Sequence, residues 1–411
     1  MGGEITNPLG VGSRIFLGAW NAGSRNTKKI TLLCLLVVIV GIPALAQKPK
    51  FTVLHTFQGR VDGAVPNAGL LRDSSGNLFG TTLGGGASNY GAVFAVMASG
   101  KEKVLYSFRG DTDGSSPAAS LIQANGQLYG TTMLGDSSSA GTVFQVSKSN
   151  GTEQVLGSFP IGADGGGYPE GGLIRDARGN LYGTTSGYNG GGGNGAVFEV
   201  SAAGVLTVLY NFTGGTDGLC PLGNLVRDSA GNLYGTTYRG GTYGFGTVYK
   251  VTPSGAETIL YSFTGGLDGS FPAAGLVRDT KGNLYGTTTG GGPRASGTVF
   301  AVAPGGKETV LHSFKNQPDG FSPVAGLALD ASGNLFGTTV IGGRHDHGMV
   351  FEITAAGKEL VLHNFTGSTD GGSPGGSLVL DKYGSLYGTT AGGGSAAACT
   401  GGCGVVFRWT P

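Results

Sequence analysis

Apolar and polar positions alternate with a short period along most of the chain, and the pattern starts again about every 51 residues. In the stretch 274–314, Ala-Gly-Leu-Val-Arg-Asp is a short apolar segment, and Asp279-Thr-Lys-Gly-Asn283 has the composition of a tight turn. Leu284-Tyr-Gly-Thr-Thr288 is rich in β-formers, and after a glycine-rich loop Gly297–Val302 is a third strand. Pro304–Lys307 turns the chain, and Glu308–Phe314 is the fourth strand. No helical period occurs in the unit, so it predicts a four-stranded antiparallel meander.

The words of this unit recur. Gly231-Asn-Leu-Tyr-Gly-Thr-Thr237 has near copies beginning at Gly76, Gly126, Gly179, Gly282, Gly333 and Gly384, at intervals of 50 to 53 residues. Each third strand carries an aromatic residue (Phe94 to Phe407) and each fourth strand ends on Phe (Phe57 to Phe365). These positions suit packing between adjacent sheets. Small pairs such as Ala68-Gly69 and Ala325-Gly326 open the inner strands, where chains crowd towards an axis.

The repeats begin with a lone fourth strand, Phe51–Phe57, and end after a third strand, Val405–Thr410. Each terminus supplies what the other lacks, so pairing them closes a circle and hides both edges. The expected fold is therefore all-β: a seven-bladed β-propeller over residues 47–411, with its last blade completed by the N-terminal strand. An open solenoid is the alternative.

Ahead of the repeats, Lys28-Lys29, the apolar run Ile30–Val40 and Ala44-Leu-Ala46 form a signal peptide pattern over residues 1–46, with cleavage before Gln47. The run to Ala46 would be near the lower limit for an uncleaved membrane anchor. Composition narrows the partners. The chain has 411 residues, net charge near +1 and 12% charged residues, which argues against binding nucleic acid or anionic lipid through charge. Its 84 glycines sit at fixed repeat positions beside 39% hydrophobic residues, which argues for turns and against disorder.

The text Asp228-x-x-Gly-Asn-Leu-Tyr-Gly-Thr-Thr237 followed by Gly246-Thr-Val-Tyr249 resembles the GloVer-type tandem-repeat (choice-of-anchor) family of secreted bacterial proteins, over residues 51–411. The resemblance implies an exported, repeat-built protein and brings no reaction and no catalytic residues. The chain stops at Trp409-Thr-Pro411 without the hydrophobic tail of a surface anchor.

Positions alike in all copies serve the fold; function is sought at positions peculiar to one. Seven Asp-Gly pairs, at Asp62, Asp113, Asp164, Asp217, Asp268, Asp319 and Asp370, precede the inner strands. They are either turn closers or a ring of Ca²⁺-binding carboxylates near the axis, and the turn reading is preferred. Asp73 and its five equivalents are turn residues. His55, His312 and His363 alternate with Tyr106, Tyr210 and Tyr261 and are read as packing residues. Glu102, Glu153, Glu257, Glu308 and Glu359 are read as solvated turn neighbours. No Gly-x-Ser-x-Gly, His-Glu-x-x-His or phosphate-loop motif occurs, and among glutamates only Glu170 is peculiar to one blade beside an Asp-Gly loop.

The blade-specific features lie in loops. Cys399 and Cys403 are expected to form a local disulfide, leaving Cys220 as an odd thiol; a metal site combining them with His345 and His347 is the alternative. The loops before the first strand and between the second and third strands should share one face and carry its diversity. Tyr188, Tyr238, Arg239, Tyr243, Arg294, Arg344, His345 and His347 are the candidate ligand-binding residues there. Aromatic faces beside arginine suit sugar rings or peptide side chains. The expected function is a binding or scaffold module for an extracellular glycan, peptide or cell-surface partner, without a catalytic set or cofactor. A polysaccharide lyase or glycoside hydrolase is the alternative.

Overall fold

The computed structural model describes residues 48–135, 139–160, 166–187, 193–394 and 399–411; residues 1–46, expected to be a signal peptide, and Asp164 and Tyr188 lie outside them. Its strands form seven four-stranded antiparallel sheets in a ring, a seven-bladed β-propeller. Six blades take their four strands in chain order. In the seventh, Lys50–Thr56 pairs with Val405–Thr410, from Lys50 opposite Thr410 to Thr56 opposite Val405. The circle closes through the two termini.

The repeated Gly-Thr-Thr word has a physical explanation at each letter. The glycine leaves room for the third-strand aromatic: a Cβ on Gly286 would lie 2.6 Å from Phe300 Cζ. The first threonine latches its blade to the next, as Thr236 Oγ1 donates to the Ala274 carbonyl (2.9 Å) and Thr287 to that of Ala325 (3.3 Å). Thr389 donates to the Ala68 carbonyl at 2.9 Å, so the same latch spans the closure. The second threonine works within its blade. Thr237 Oγ1 accepts from the Thr247 amide (3.1 Å) and bonds the Thr247 hydroxyl (2.8 Å).

Inner strands are shorter than the sequence suggests, two residues in most blades, as in Val277–Arg278. The small pair before them stays out of the ladder because neighbouring chains meet there. A Cβ on Gly275 would lie 2.8 Å from the Asn224 amide nitrogen. Between blades, fourth-strand and third-strand rings meet edge to face. Phe263 and Phe300 have centroids 5.0 Å apart at 69°, and Phe57 and Phe94 are 5.0 Å apart at 73°. All four are fully buried.

The latch yields a direct expectation. Thr236→Val keeps the shape but strands a buried carbonyl, so it should cost about 1–3 kcal/mol. Urea unfolding of the variant would measure it; an unchanged midpoint would show that the latch contributes nothing.

Candidate functional site

Strand alternation puts the Asp-Gly loops and the second-to-third-strand loops on one face, and bridges tie them together there: Ala64 to Gly84, Leu219 to Arg239, and Phe321 to Ile341. The residue before each loop proline has a left-handed backbone in all seven blades. Val65, Ser116, Tyr168, Cys220, Phe271, Ser322 and Ser373 have φ between 54° and 61°. Such torsions are uncommon outside glycine and asparagine. Hydrogen bonds on both sides hold them: the Phe271 amide donates to the Phe245 carbonyl of the preceding blade (2.9 Å), and its carbonyl accepts from Thr289 (3.1 Å). One rigid backbone clasp is thus repeated with a different side chain in most blades.

Polar and aromatic side chains gather where blades three, four and five meet. The Tyr238 and Phe271 rings are 5.3 Å apart, and the Arg239 guanidinium lies 5.8 Å from the centre of each. Phe245 closes on Phe271 from the side at 5.6 Å. Beside them, burial pushes the Glu170 carboxyl up, against a hydrogen bond from Ser186. The buried Cys220 thiol is raised by its burial and then by the Glu170 charge, with Arg239 opposing. An acid, a cation and two aromatic faces therefore share one patch.

The other sequence candidates do not converge on it as a group. Tyr243 is 57% exposed at its loop tip, and Arg294, Arg344 and His345 are exposed in loops of blades five and six. His347 has a packing role, its ring lying against Gly367 of the next Asp-Gly loop. Tyr90 and Phe245 fill the equivalent place over Gly110 and Gly265. Cys399 and Cys403 are bonded to each other with Cα atoms 5.3 Å apart, so neither thiolate is available to His345 or His347.

The described Asp-Gly aspartates are tied to the outer strands and not gathered at the axis. Asp113, Asp217, Asp268, Asp319 and Asp370 each bond the outer strand that leads into their loop, as with Tyr106 Oη to Asp113 (2.6 Å), Tyr261 Oη to Asp268 (2.9 Å), and His363 Nε2 with Asp370 (3.1 Å). Asp62, Asp113, Asp217, Asp268 and Asp370 also hold the amide four residues back, as Asp268 holds Thr264 (2.7 Å). The glutamates expected in solvent prove partly buried. Glu102, Glu153, Glu257, Glu308 and Glu359 begin the outer strand of one blade and come up against the loop aspartate of the blade before. Burial first, and then that aspartate's charge, push their carboxyls up to about 7.

The cluster substitutes as a unit. Where Gly157 replaces the tyrosine, Leu206 replaces the glutamate and packs over it. Where Phe51 replaces the glutamate, it stacks on His363 at 3.8 Å and 8°. At the junction of blades five and six, His312, Asp319 and Glu359 bring donor atoms within 4.8 Å of one another, the one set among the described residues with metal-ligand spacing.

The sequence matches the Gloeobacter/Verrucomicrobia repeat over residues 44–229 and 215–407, and the chain belongs to that family. No curated protein matches it. Among solved structures, the extracellular domain of a hybrid two-component system from B. thetaiotaomicron superposes with a TM-score of 0.55 at 14% identity, over 87% of this chain and 39% of that one. The extracellular domain of a one-component system from B. thetaiotaomicron gives 0.53 at 13% identity, over 86% and 40%. The chain thus spans about two-fifths of the length of these structures, and the likeness is one of fold.

Proposed function

We propose that the protein is an exported binding module, its leader removed after Ala46, whose loop face holds an extracellular glycan or protein partner. The observation that carries this reading is the contrast between a backbone repeated seven times and the side chains on it. The clasp positions are constant in geometry and change between Val, Ser, Tyr, Cys and Phe, and one of them, Phe271, gathers Tyr238 and Arg239 of the neighbouring loop around it. Binding sites are commonly built from loops on a rigid scaffold. Aromatic faces with a guanidinium alongside recognise sugar rings and peptide side chains alike. The extracellular domains of one- and two-component systems that share the fold support an extracellular use of such a ring. No helix among the described residues is long and apolar enough to cross a membrane.

Purified protein screened on glycan and cell-envelope fractions should be retained by a partner. Replacing Tyr238, Arg239 and Tyr243 together with alanine should weaken that retention at least tenfold (order of magnitude for losing an aromatic and arginine anchor). Replacing Lys281 and Lys307, exposed on the opposite face, should leave it within twofold. Loss with the lysine pair alone would overturn the assignment of the face.

A further inference from the structure

The opposite face, where the turns repeat with little change, carries a shallow cavity of about 500 Å³, wide open to solvent, between the inner strands of neighbouring blades. Its walls are apolar, from Ile174, Leu225, Val226, Val277 and Leu329, and its charged lining is Arg175, Arg227 and Arg278 from three successive blades. No carboxylate lines it. We propose that this cavity is a second binding site, for an acidic glycan whose carboxylates or sulfates the three guanidinium groups receive.

The arginines are placed in advance. Each lies against the glycine of its own turn; a Cβ on Gly179, Gly231 or Gly282 would come within 2.9–3.0 Å of a guanidinium nitrogen. Arg227 and Arg278 also rest over the Tyr182 and Tyr234 rings of the preceding blade, 5.8 Å from each centre. Holding a guanidinium before the ligand arrives removes part of the ordering cost of binding.

Their charges are also available. At the same inner-strand position Arg72 approaches Asp381 at 3.9 Å, and at the next junction Lys148 pairs with Asp73 at 3.1 Å. Arg175, Arg227 and Arg278 form no ion pair among the described residues and are exposed. The adjacent Asp176, Asp228 and Asp279 are turned into their own loops, accepting from the amides of Asn180, Asn232 and Asn283 at 2.8–2.9 Å. Planar guanidinium forks pair with carboxylate and sulfate oxygens, and the apolar walls suit the face of a sugar ring. The site is separate from the loop face, and either can fail without the other.

The test is retention of the full chain on immobilised polygalacturonate, dextran sulfate and neutral dextran. Net charge near +1 gives little general attraction to polyanions. Retention on at least one acidic resin and not on dextran, weakened by added salt, is expected. Arg175→Gln, Arg227→Gln and Arg278→Gln together should reduce it tenfold or more, and Arg227→Gln alone should reduce it measurably if the triple variant folds poorly. Arg294→Gln with Arg344→Gln, and Tyr238→Ala with Arg239→Ala, should leave it within twofold. Absence of retention on both acidic resins, equal retention on dextran, or retention by a folded triple variant within twofold of wild type would overturn the proposal.

Discussion

A chain that starts at residue 58 is expected to aggregate or to melt far below one that starts at residue 48. The missing strand, Lys50–Thr56, does more than complete a ladder. Phe51 stacks on His363 of blade six and meets Phe365 edge-on at 5.7 Å, while Phe57, fully buried just beyond the strand, meets Phe94 of blade one. The segment therefore joins both neighbours of the seventh blade. Full burial of Phe57 contributes about 1.5–3 kcal/mol and the partly buried Phe51 a smaller share, and the deletion also bares the edge of Val405–Thr410 to pairing between molecules. Together these losses rival the roughly 5–15 kcal/mol that holds a domain folded. Size-exclusion chromatography and thermal melting of the two forms provide the measurement. A peptide spanning residues 48–58, added to the short form, should restore solubility. A short form that is monomeric and melts within a few degrees of the longer one would show that the ring does not depend on its closing strand.

That closure was legible in the sequence because it depends on counting strands, and β-meanders announce their strands through turn residues. Contacts between blades were harder to read. Glu257 sits next to a turn in sequence, and that neighbourhood suggests solvent; the Asp217 carboxylate that faces it is forty residues away in the preceding unit. A signal was nevertheless present in the copies. Leu206 appears in place of the glutamate in the unit that follows Gly157, and Phe51 takes the glutamate place in the blade after His363. Reading positions in pairs across consecutive units would have shown the contact.

The left-handed clasp was illegible for a different reason. Its residue changes from valine to tyrosine to cysteine, and a residue before proline is ordinarily expected to be extended. The inner-strand arginines escape a search for positions peculiar to one blade, because four blades carry one, Arg72, Arg175, Arg227 and Arg278. Arg72 serves a junction, through Asp381 and the Tyr387 ring, whereas Arg175, Arg227 and Arg278 line a cavity.

The glutamates at the blade junctions lead to a pH dependence opposite to the usual acid lability of carboxylates. In the unfolded chain Glu102, Glu153, Glu257, Glu308 and Glu359 lose their protons near 4.5, whereas in the folded ring they keep them up to about 7. Between those values the folded state binds more protons, so stability falls as pH rises through the interval. Asp113, Asp217 and Asp319 are held below their ordinary range despite burial, by hydrogen bonds led by Tyr106, Thr213 and His312. Their contribution is complete above about pH 4 and does not change between pH 5 and 8. His55 and His363, lowered mainly by burial, oppose the trend, since the unfolded imidazoles take up protons first as pH falls below 6.5. Five glutamates stand against two histidines, so the melting temperature should fall from pH 5 to pH 8. Arg109 beside Glu153 and Lys315 beside Glu359 weaken the effect at those two junctions, and added salt should weaken it at all five. Replacing the five with glutamine preserves a group that can donate to the facing aspartate and removes the titration. That variant should give a flatter curve and melt above wild type at pH 8. A wild-type melting temperature that is level or rising from pH 5 to 8, or a glutamine variant with the same slope, would mean that the junction carboxyls ionise as they do in water.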